Sequence, residues 1–453
     1  MKTHLSSKIN SGLMMVLAAL LLMMNSCSKD KADLSELLKT VPSSSAAVVG
    51  INLTAILEKA GCKVDGPEIT PGKELQAILN KSNINGQDGF DVILNGESGI
   101  DPSGAVVFTA ANRTYLTFSL ADTDKFNKFV SKKTGQNFTD ASAGVKVNGS
   151  IAVKGAQAWI ELLNTTIDPV SVAAFSAQKE SQSFLTNTFS EKIALMESDV
   201  IGWGEINSIL KMNHIGFSEM SMFNLVSAML FEDAASLSFS LNFDKGKTNF
   251  RLSVLDNKNK PAKFLLPMDK IDASVIKELG GTCNGAMAFT ITPKLVDKIK
   301  KLGSAFGGTP FANMEDFLKN VDGTCAIVGG SDTSALSDNF KGIVSTSGPV
   351  SQDFKNWLAQ QGSIQEESNC IKVTKGNVSG VFNVDECADL LKGAMFGIVM
   401  DTKETKSTGL QNCASMLSLC LKQDSEGVGI DATIVGKDKN EYMLLSILKA
   451  TSK

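Results

Sequence analysis

Residues 46–61 read Ala-Ala-Val-Val-Gly-Ile-Asn-Leu-Thr-Ala-Ile-Leu-Glu-Lys-Ala-Gly, and this stretch predicts the basic unit of the fold. It opens with a nearly continuous apolar run of strand length. Thr54 then predicts the start of a helix, because a threonine side chain accepts hydrogen bonds from the free N–H groups of a first turn. Gly61 predicts its end, because glycine readily adopts the left-handed backbone that closes helices. The unit is a buried strand followed directly by a helix.

A similar unit recurs in the second half of the chain. Asp33-Leu-Ser-Glu-Leu-Leu-Lys and Asp272-Ala-Ser-Val-Ile-Lys-Glu both predict a short helix that begins at an aspartate. Each helix leads through a turn into an apolar strand, at residues 46–53 or 286–291, and then into a second helix. The recurrence indicates an internal duplication.

Three further segments of the two halves align without gaps and keep the same alternation or helical spacing of apolar residues. They pair residues 114–126 with 342–354, 237–241 with 417–421, and 250–255 with 430–435. The difference in residue number between paired segments becomes smaller after the first of these pairs, so the first half must contain additional residues. We assign them to an insertion near 162–230, whose apolar runs predict helices.

These patterns predict an α+β protein with two related halves, each mainly an antiparallel sheet with amphipathic helices packed on one face. The first half would occupy residues 34–260, including the insertion, and the second residues 270–453. A fixed-period solenoid is excluded because the unit is too long and occurs only twice.

The N-terminus predicts where the protein is located. A basic start is followed by an apolar run at residues 13–24 and then by Asn25-Ser26-Cys27. A run this short is typical of a signal-peptide core and cannot span a bilayer as a permanent helix. The small residue before the cysteine resembles a bacterial lipobox, which implies removal of residues 1–26 and lipidation of Cys27. An ordinary secretory signal with a chance cysteine is the alternative.

Residues 27–33 follow as a charged, small-residue tether of a kind that stays solvated. An acidic run in this position resembles the surface-export signal of Bacteroidetes lipoproteins, although here two aspartates alternate with two lysines. We therefore expect a lipid-anchored protein of the outer membrane that faces either the periplasm or the cell surface.

A wider resemblance lies in Val41-Pro42, the Ile51-Asn52-Leu53 end of the strand and the Glu58-Lys59-Ala60-Gly61 end of the helix. These residues, together with Ser98-Gly99-Ile100-Asp101-Pro102 before another strand, resemble an uncharacterised family of Bacteroidetes outer-membrane lipoproteins. The resemblance covers most of the chain. Its motifs are structural, so it implies no catalytic residue.

Charge and composition limit the classes of partner. The chain is 43% hydrophobic and 20% charged with a formal net charge of −4, and its only arginines are Arg113 and Arg251. Nucleic-acid binding depends on basic surfaces that are often rich in arginine. Nucleic acid is therefore not an expected partner.

The sequence offers little catalytic chemistry. His214 is the one histidine beyond the signal peptide, which excludes multi-histidine metal sites and makes a histidine-based triad improbable. We interpret it as a surface or helix-end residue. Residues 83–91 are rich in oxygen donors, but Asn-Gly and Asp-Gly pairs are ordinary turn residues, so we favour turns over a calcium loop. No catalytic residue, metal site or cofactor site is predicted.

The cysteines form neither a zinc motif nor a dense disulfide pattern. Beyond Cys27 there are seven of them, without any Cys-x-x-Cys spacing, so they cannot all be paired. We expect most to be buried as small apolar residues, with one or two disulfides compatible with an exported chain. They are Cys62, Cys283, Cys325, Cys370, Cys387, Cys413 and Cys420.

The resulting functional prediction is a lipid-anchored cell-envelope protein with a non-catalytic binding or structural role. Its partners would be the membrane, through the lipid, and a glycan or a protein. One alternative is a hydrolase that acts on glycans through two carboxylates. The other is an assembly component of an outer-membrane complex, with the Met-rich stretch Met220–Met229 as its contact.

We predict that Cys27 carries the lipid. Metabolic labelling with a fatty-acid analogue should tag the wild-type protein and leave Cys27→Ser unlabelled, because the thioether carries the acyl-bearing group. Equal labelling of both proteins would rule out this anchor.

Overall fold

The structure is a computed structural model that describes residues 32–81, 98–212, 227–305, 314–329, 339–404 and 408–451. Cys27, the loop at 83–91, His214 and residues 220–226 of the Met-rich stretch lie outside these ranges.

The strands of the first half include several very short ones. They are β1 (Ala32–Asp33), β2 (Ala47–Ile51), β3 (Cys62–Asp65), β4 (Glu68–Pro71), β5 (Ile100–Ala110), β6 (Arg113–Leu120), β7 (Thr139–Asp140), β8 (Lys146–Asn148), β9 (Ile151–Lys154), β10 (Gln157–Glu161), β11 (Leu195–Met196), β12 (Val200–Glu205), β13 (Phe231–Glu232), β14 (Ala234–Asp244), β15 (Lys247–Asp256) and β16 (Lys263–Phe264). Those of the second half are β17 (Thr282–Cys283), β18 (Gly285–Ile291), β19 (Val321–Gly329), β20 (Phe340–Thr346), β21 (Ser363–Glu366), β22 (Cys370–Lys375), β23 (Phe382–Asn383), β24 (Ala394–Asp401), β25 (Ala414–Asp424) and β26 (Gly427–Gly436).

Helices occur between these strands in both halves. They are α1 (Ser35–Leu38), α2 (Leu53–Lys59), α3 (Lys73–Lys81), α4 (Thr123–Thr134), α5 (Pro169–Ala177), α6 (Ser190–Ala194), α7 (Ile206–Met212), α8 (Ala273–Lys277), α9 (Pro293–Ala305), α10 (Met314–Phe317), α11 (Gln352–Gln361), α12 (Val384–Leu391), α13 (Thr408–Cys413) and α14 (Met443–Thr451). Asn52, and not Thr54, caps α2, because its side-chain oxygen accepts the Ala55 N–H at 2.8 Å.

One large sheet organises the molecule. Its strands pair in the order β7-β8-β9-β10-β6-β5-β2-β12-β14-β15-β26-β25-β24-β18-β19-β20-β22-β21, and every pair is antiparallel. The predicted α+β class with a mainly antiparallel sheet is confirmed.

The strand order is the same on both sides of the central pair β15–β26. Moving outward, it runs β14, β12, β2, β5, β6 on one side and β25, β24, β18, β19, β20 on the other. Asp33 and Asp272 each accept a backbone N–H two residues later, from Ser35 and Ser274, at 2.9 Å. Asp272 caps α8 as predicted, whereas α1 begins one residue later than predicted, with Leu34 and not Asp33 at its cap position. These observations favour the duplication. The superposition of residues 34–260 on 270–453 stays a prediction.

Helices cover both faces of the sheet in the first half. On one face α4 packs Phe126 edge-on against Phe118 of β6, with ring centroids 5.8 Å apart. On the other face α5 packs Phe175 against Tyr115 of the same strand, with centroids 5.2 Å apart. The structure therefore differs from the expected one-face packing. Successive residues of β6 are buried on opposite sides, a pattern typical of strands in the middle of a layered core.

The second half is layered in the same way. α8 and α12 cover one face, where Ile343 of β20 is buried, and α11 covers the other, where the next residue, Val344, lies.

The predicted helical insertion near 162–230 contains a central strand of the sheet. α5, α6 and α7 fall within it, but so does β12, which pairs with both β2 and β14. Glycines obscure this strand in the sequence, since glycine has low strand propensity. Gly202 is required there because a Cβ would approach Phe239 to 2.2 Å.

A buried ion pair fastens α2 to the sheet. The Lys59 ammonium lies 2.6 Å from both carboxylate oxygens of Asp199, which precedes β12. Asp199 also accepts the Phe243 N–H at 2.7 Å. Burial raises the pKa of Asp199, even though the hydrogen bond and charge of Lys59 act to lower it. Desolvation of the carboxylate therefore outweighs its attraction to the lysine.

We expect Lys59→Met to lower the free energy of unfolding by about 3 kcal/mol at neutral pH, because the Asp199 carboxylate stays buried without its cation. Urea denaturation would measure this loss. The loss of unfolding free energy should become smaller as the pH falls, because the Asp199 carboxylate then takes up a proton. The double variant Lys59→Met/Asp199→Asn should recover part of the lost stability. A double variant as unstable as the single one would contradict this explanation.

Candidate functional site

The candidate site lies beneath α11 in the second half. Ser351 caps this helix by accepting the Phe354 N–H at 3.2 Å. The spacing i, i+3, i+4 then places Phe354, Trp357 and Leu358 on one side of the helix. Phe354 and Leu358 are buried, whereas the Trp357 side chain is 47% exposed. The helix thus has an apolar face that the protein covers only in part.

Three aromatic rings from two helices form one wall of the site. The Phe317 ring of α10 meets Phe354 edge-on at 5.2 Å and Trp357 at 6.0 Å between centroids. Phe354 and Trp357 stack on each other at 5.9 Å. The Ser351 hydroxyl donates to the Phe317 carbonyl at 2.9 Å, which holds α10 against the start of α11.

Strands β18, β19, β20 and β22 form the floor, and the pocket has a volume of about 320 Å³. Its lining is apolar except for a glutamine amide and a thiol. The lining residues are Phe289, Ile291, Phe317, Leu318, Cys325, Ala326, Ile327, Phe340, Gly342, Ile343, Val344, Phe354, Trp357, Leu358, Gln361 and Val373.

Gly342 contributes depth to this pocket by lacking a side chain. A Cβ at this position would meet its nearest neighbour, the Ala326 carbonyl oxygen, at 3.5 Å, which is an ordinary contact. The backbone therefore does not require glycine here, and a Cβ would fit against Ile327 and Phe340 at 3.8 and 3.9 Å.

The chemistry of the pocket favours binding of an apolar group. None of its lining residues carries a charge, and burial raises the pKa of the Cys325 thiol to about 12. A thiol with such a pKa is almost wholly protonated at neutral pH and is a poor nucleophile. Gln361, exposed at the end of α11, is the hydrogen-bonding side chain of the lining.

A second, polar pocket of about 580 Å³ lies beside α6 and strands β12, β14 and β15. Glu191, Glu197 and Glu426 line it, and all three are exposed. The Lys192 ammonium lies 2.5 Å from a Glu426 oxygen. A glycosidase acid requires a buried environment that keeps its proton at working pH. The exposed carboxylates of this pocket do not provide it.

Glu278, Glu367 and Cys370 come close enough together to hold a cation. The Lys372 ammonium lies 3.1 Å from Glu278 and 2.9 Å from Glu367, so it already neutralises both carboxylates. Its hydrogen bond to Glu367 is the main cause that lowers the pKa of that carboxyl group. Burial raises the pKa of the Cys370 thiol to about 11. The arrangement is a surface ion-pair cluster, and a metal ion would have to displace the lysine.

The structure brings together residues that the sequence did not identify as a site. The i, i+3, i+4 spacing of Phe354, Trp357 and Leu358 is a local sequence pattern, but Phe289 and Phe317 reach the pocket from distant segments. All seven cysteines of the body are buried, as predicted.

Comparisons with known proteins give no family. No protein-family model matches the chain, and no curated protein matches it. Crystal forms III and I of TP0453, a Treponema protein, are each 8% identical, with TM-scores of 0.28 and 0.27. The alignments cover 78% of this chain and 96% and 95% of theirs. At TM-scores this low the likeness carries no argument about fold or function.

Helices of the described ranges are all too short or too polar to cross a membrane.

We expect Phe354→Ala to lower the free energy of unfolding by about 3 kcal/mol or more, because it removes a buried ring that contacts both Phe317 and Trp357. Trp357→Ala should cost much less, since half of that side chain is already in water. Urea unfolding of the two variants would compare them. Equal losses would show that Trp357 is an ordinary core residue.

Proposed function

We propose that the protein is a lipid-anchored envelope protein that binds a fatty acyl chain in the pocket beneath α11. The observation that carries this proposal is the lining of the pocket, which is apolar on the sheet, on α10 and on α11. The proposed localisation rests on the signal-peptide pattern, the Cys27 lipobox and the resemblance to outer-membrane lipoproteins of Bacteroidetes. The role is one of binding, and no catalytic step is proposed.

The size and polarity of the pocket support an acyl chain as the ligand. Its volume of about 320 Å³ lies within the range of roughly 300–1,000 Å³ that is usual for small-ligand pockets. Each methylene group that leaves water for such a site contributes about 0.8 kcal/mol. A glycan would instead need hydrogen-bond partners for its many hydroxyl groups, and the lining offers few.

The mouth of the pocket suggests how the ligand would be oriented. Trp357 lies partly in water beside the apolar lining, and Gln361 lies one turn further along α11. A tryptophan ring and an exposed amide can contact both an apolar chain and its hydrated head group. The chain would enter with its methyl end first and leave the head group near Gln361.

We expect Gly342→Leu to weaken the binding of a fatty acid such as palmitate at least about tenfold. The added side chain fills space that about two methylene groups would occupy, and each is worth about 0.8 kcal/mol. Isothermal titration calorimetry would measure the affinity.

Thr374→Leu is the matched control, because it adds the same side chain on a neighbouring strand at an exposed position outside the pocket. It should bind palmitate like the wild type. Absence of binding to the wild type, or equal binding to Gly342→Leu and Thr374→Leu, would refute the proposed function.

A further inference from the structure

Two buried cysteines of the second half lie in contact with each other. The Sγ atoms of Cys283 and Cys387 are 3.7 Å apart, and neither residue is exposed to solvent. Cys283 ends β17, just before the pocket strand β18, and Cys387 lies in α12. The two residues are 104 positions apart in the chain. Tertiary structure, and not local sequence, brings their thiols together.

Backbone hydrogen bonds hold the two elements in place. β17 pairs with β23, with Cys283 opposite Phe382, and α12 begins directly after β23. The Val384 N–H donates to the Gly281 carbonyl at 3.1 Å. Cys387 follows Val384 after three residues, so one helical turn returns its side chain toward β17. The contact between the sulfurs is thus built into the packing of the strand and helix.

The short distance between the thiols makes a covalent bond accessible. A disulfide joins its sulfur atoms at about 2.05 Å, so the two atoms would have to approach by roughly 1.7 Å. Small rotations about the side-chain bonds can supply a movement of this size. Cys370 and Cys420 instead direct their thiols at oxygen atoms, those of Glu367 and of the Leu390 carbonyl.

We propose that Cys283 and Cys387 form a disulfide bond when the chain folds in an oxidising compartment. The oxidant would be a disulfide, either a small molecule such as oxidised glutathione or the active-site disulfide of a thiol oxidase. The proposal is independent of the acyl ligand, and it uses the predicted export only as the source of the oxidising environment.

The exchange takes place in two steps. One cysteine thiolate attacks a sulfur of the oxidant, which forms a mixed disulfide and expels the first thiolate of the oxidant. The second cysteine, after losing its proton, attacks the protein-side sulfur and expels the second thiolate of the oxidant. Two thiols of the protein are thereby oxidised, and one disulfide is reduced to two thiols. The two protons end on the thiolates released.

In the folded protein the contact makes the two thiols unequal in acidity. A hydrogen bond from the Cys387 thiol lowers the pKa of Cys283 and raises the pKa of Cys387. Because both sulfurs are buried, an external disulfide can reach them only before β17 and α12 close over them, or when that part opens. We therefore expect the bond to form during folding.

The disulfide would close a loop of the chain that contains every residue of the proposed ligand pocket. Every lining residue, from Phe289 to Val373, lies between Cys283 and Cys387 in the chain. A crosslink that closes a long loop stabilises a fold by restricting its unfolded state. The melting temperature of the oxidised protein should therefore exceed that of the reduced protein by at least about 5 °C.

Peptide mapping would test the proposal directly. The full chain carrying Cys27→Ser would be refolded with and without oxidised glutathione, alkylated in denaturant and digested with trypsin. Cleavage after lysine yields peptides 278–294 and 376–392, each with a single cysteine. We expect these two peptides to be linked in the oxidised sample and separately alkylated in the reduced sample.

Cys62→Ser serves as the control, because it removes a buried cysteine of the first half and should leave the link intact. Cys283→Ser and Cys387→Ser should each abolish the link and the rise in melting temperature. Full alkylation of both peptides after oxidative refolding, or linkage of either one to another cysteine, would overturn the proposal. The peptide map of the chain that retains both Cys283 and Cys387 tests the proposal even if a serine variant fails to fold.

Discussion

The pairing of β15 with β26 is the interaction on which the rest of the architecture depends. β15 is the last long strand of the first half, and it pairs with β26 from Lys247↔Val435 to Ser253↔Gly429. Hydrogen bonds along this seam turn two sheets into one, so neither half ends there in an open edge. Arg251 reinforces it from within, because its guanidinium donates to Asp431 at 3.0 Å and to Asp424 at 2.9 Å. Burial nevertheless raises the pKa of Asp431.

A sheet of this width needs helices on both faces, since its strands carry apolar side chains on both. In the first half α4 packs tightly on the sheet, with Phe126 against Phe118. The gapless alignment of 114–126 with 342–354 places Gly342 opposite Thr114 and Thr346 opposite Phe118. At these two aligned positions the side chain of the second half is the smaller one. The pocket lies at the interface between α11 and the sheet, where Gly342 contributes no side chain.

The two proposals concern the same half of the molecule from opposite sides of its sheet. α11 and the aromatic wall lie on one face, while the Cys283 and Cys387 thiols lie on the other, within the core that α8 and α12 cover. Strands β18 to β20 are common to both faces. Packing on the thiol side therefore supports the floor of the pocket, and Ala326 and Ile343 of that core also line it.

The sequence by itself determined the fold class and many of the elements, and it predicted their repetition. The run at 46–53, the aspartate that begins α8, and the i, i+3, i+4 spacing of Phe354, Trp357 and Leu358 all depend on neighbours a few residues away, which local spacing reveals. The sequence-based prediction missed β12, because Gly202 and Gly204 lack the side chains that mark a strand. It also predicted helices on one face of the sheet, whereas helices cover both faces. Only the tertiary structure brought Phe289 and Phe317 to one cavity and Cys283 to Cys387. These contacts join residues far apart in the chain, and their geometry is set by helix packing on the sheet, which no local pattern encodes.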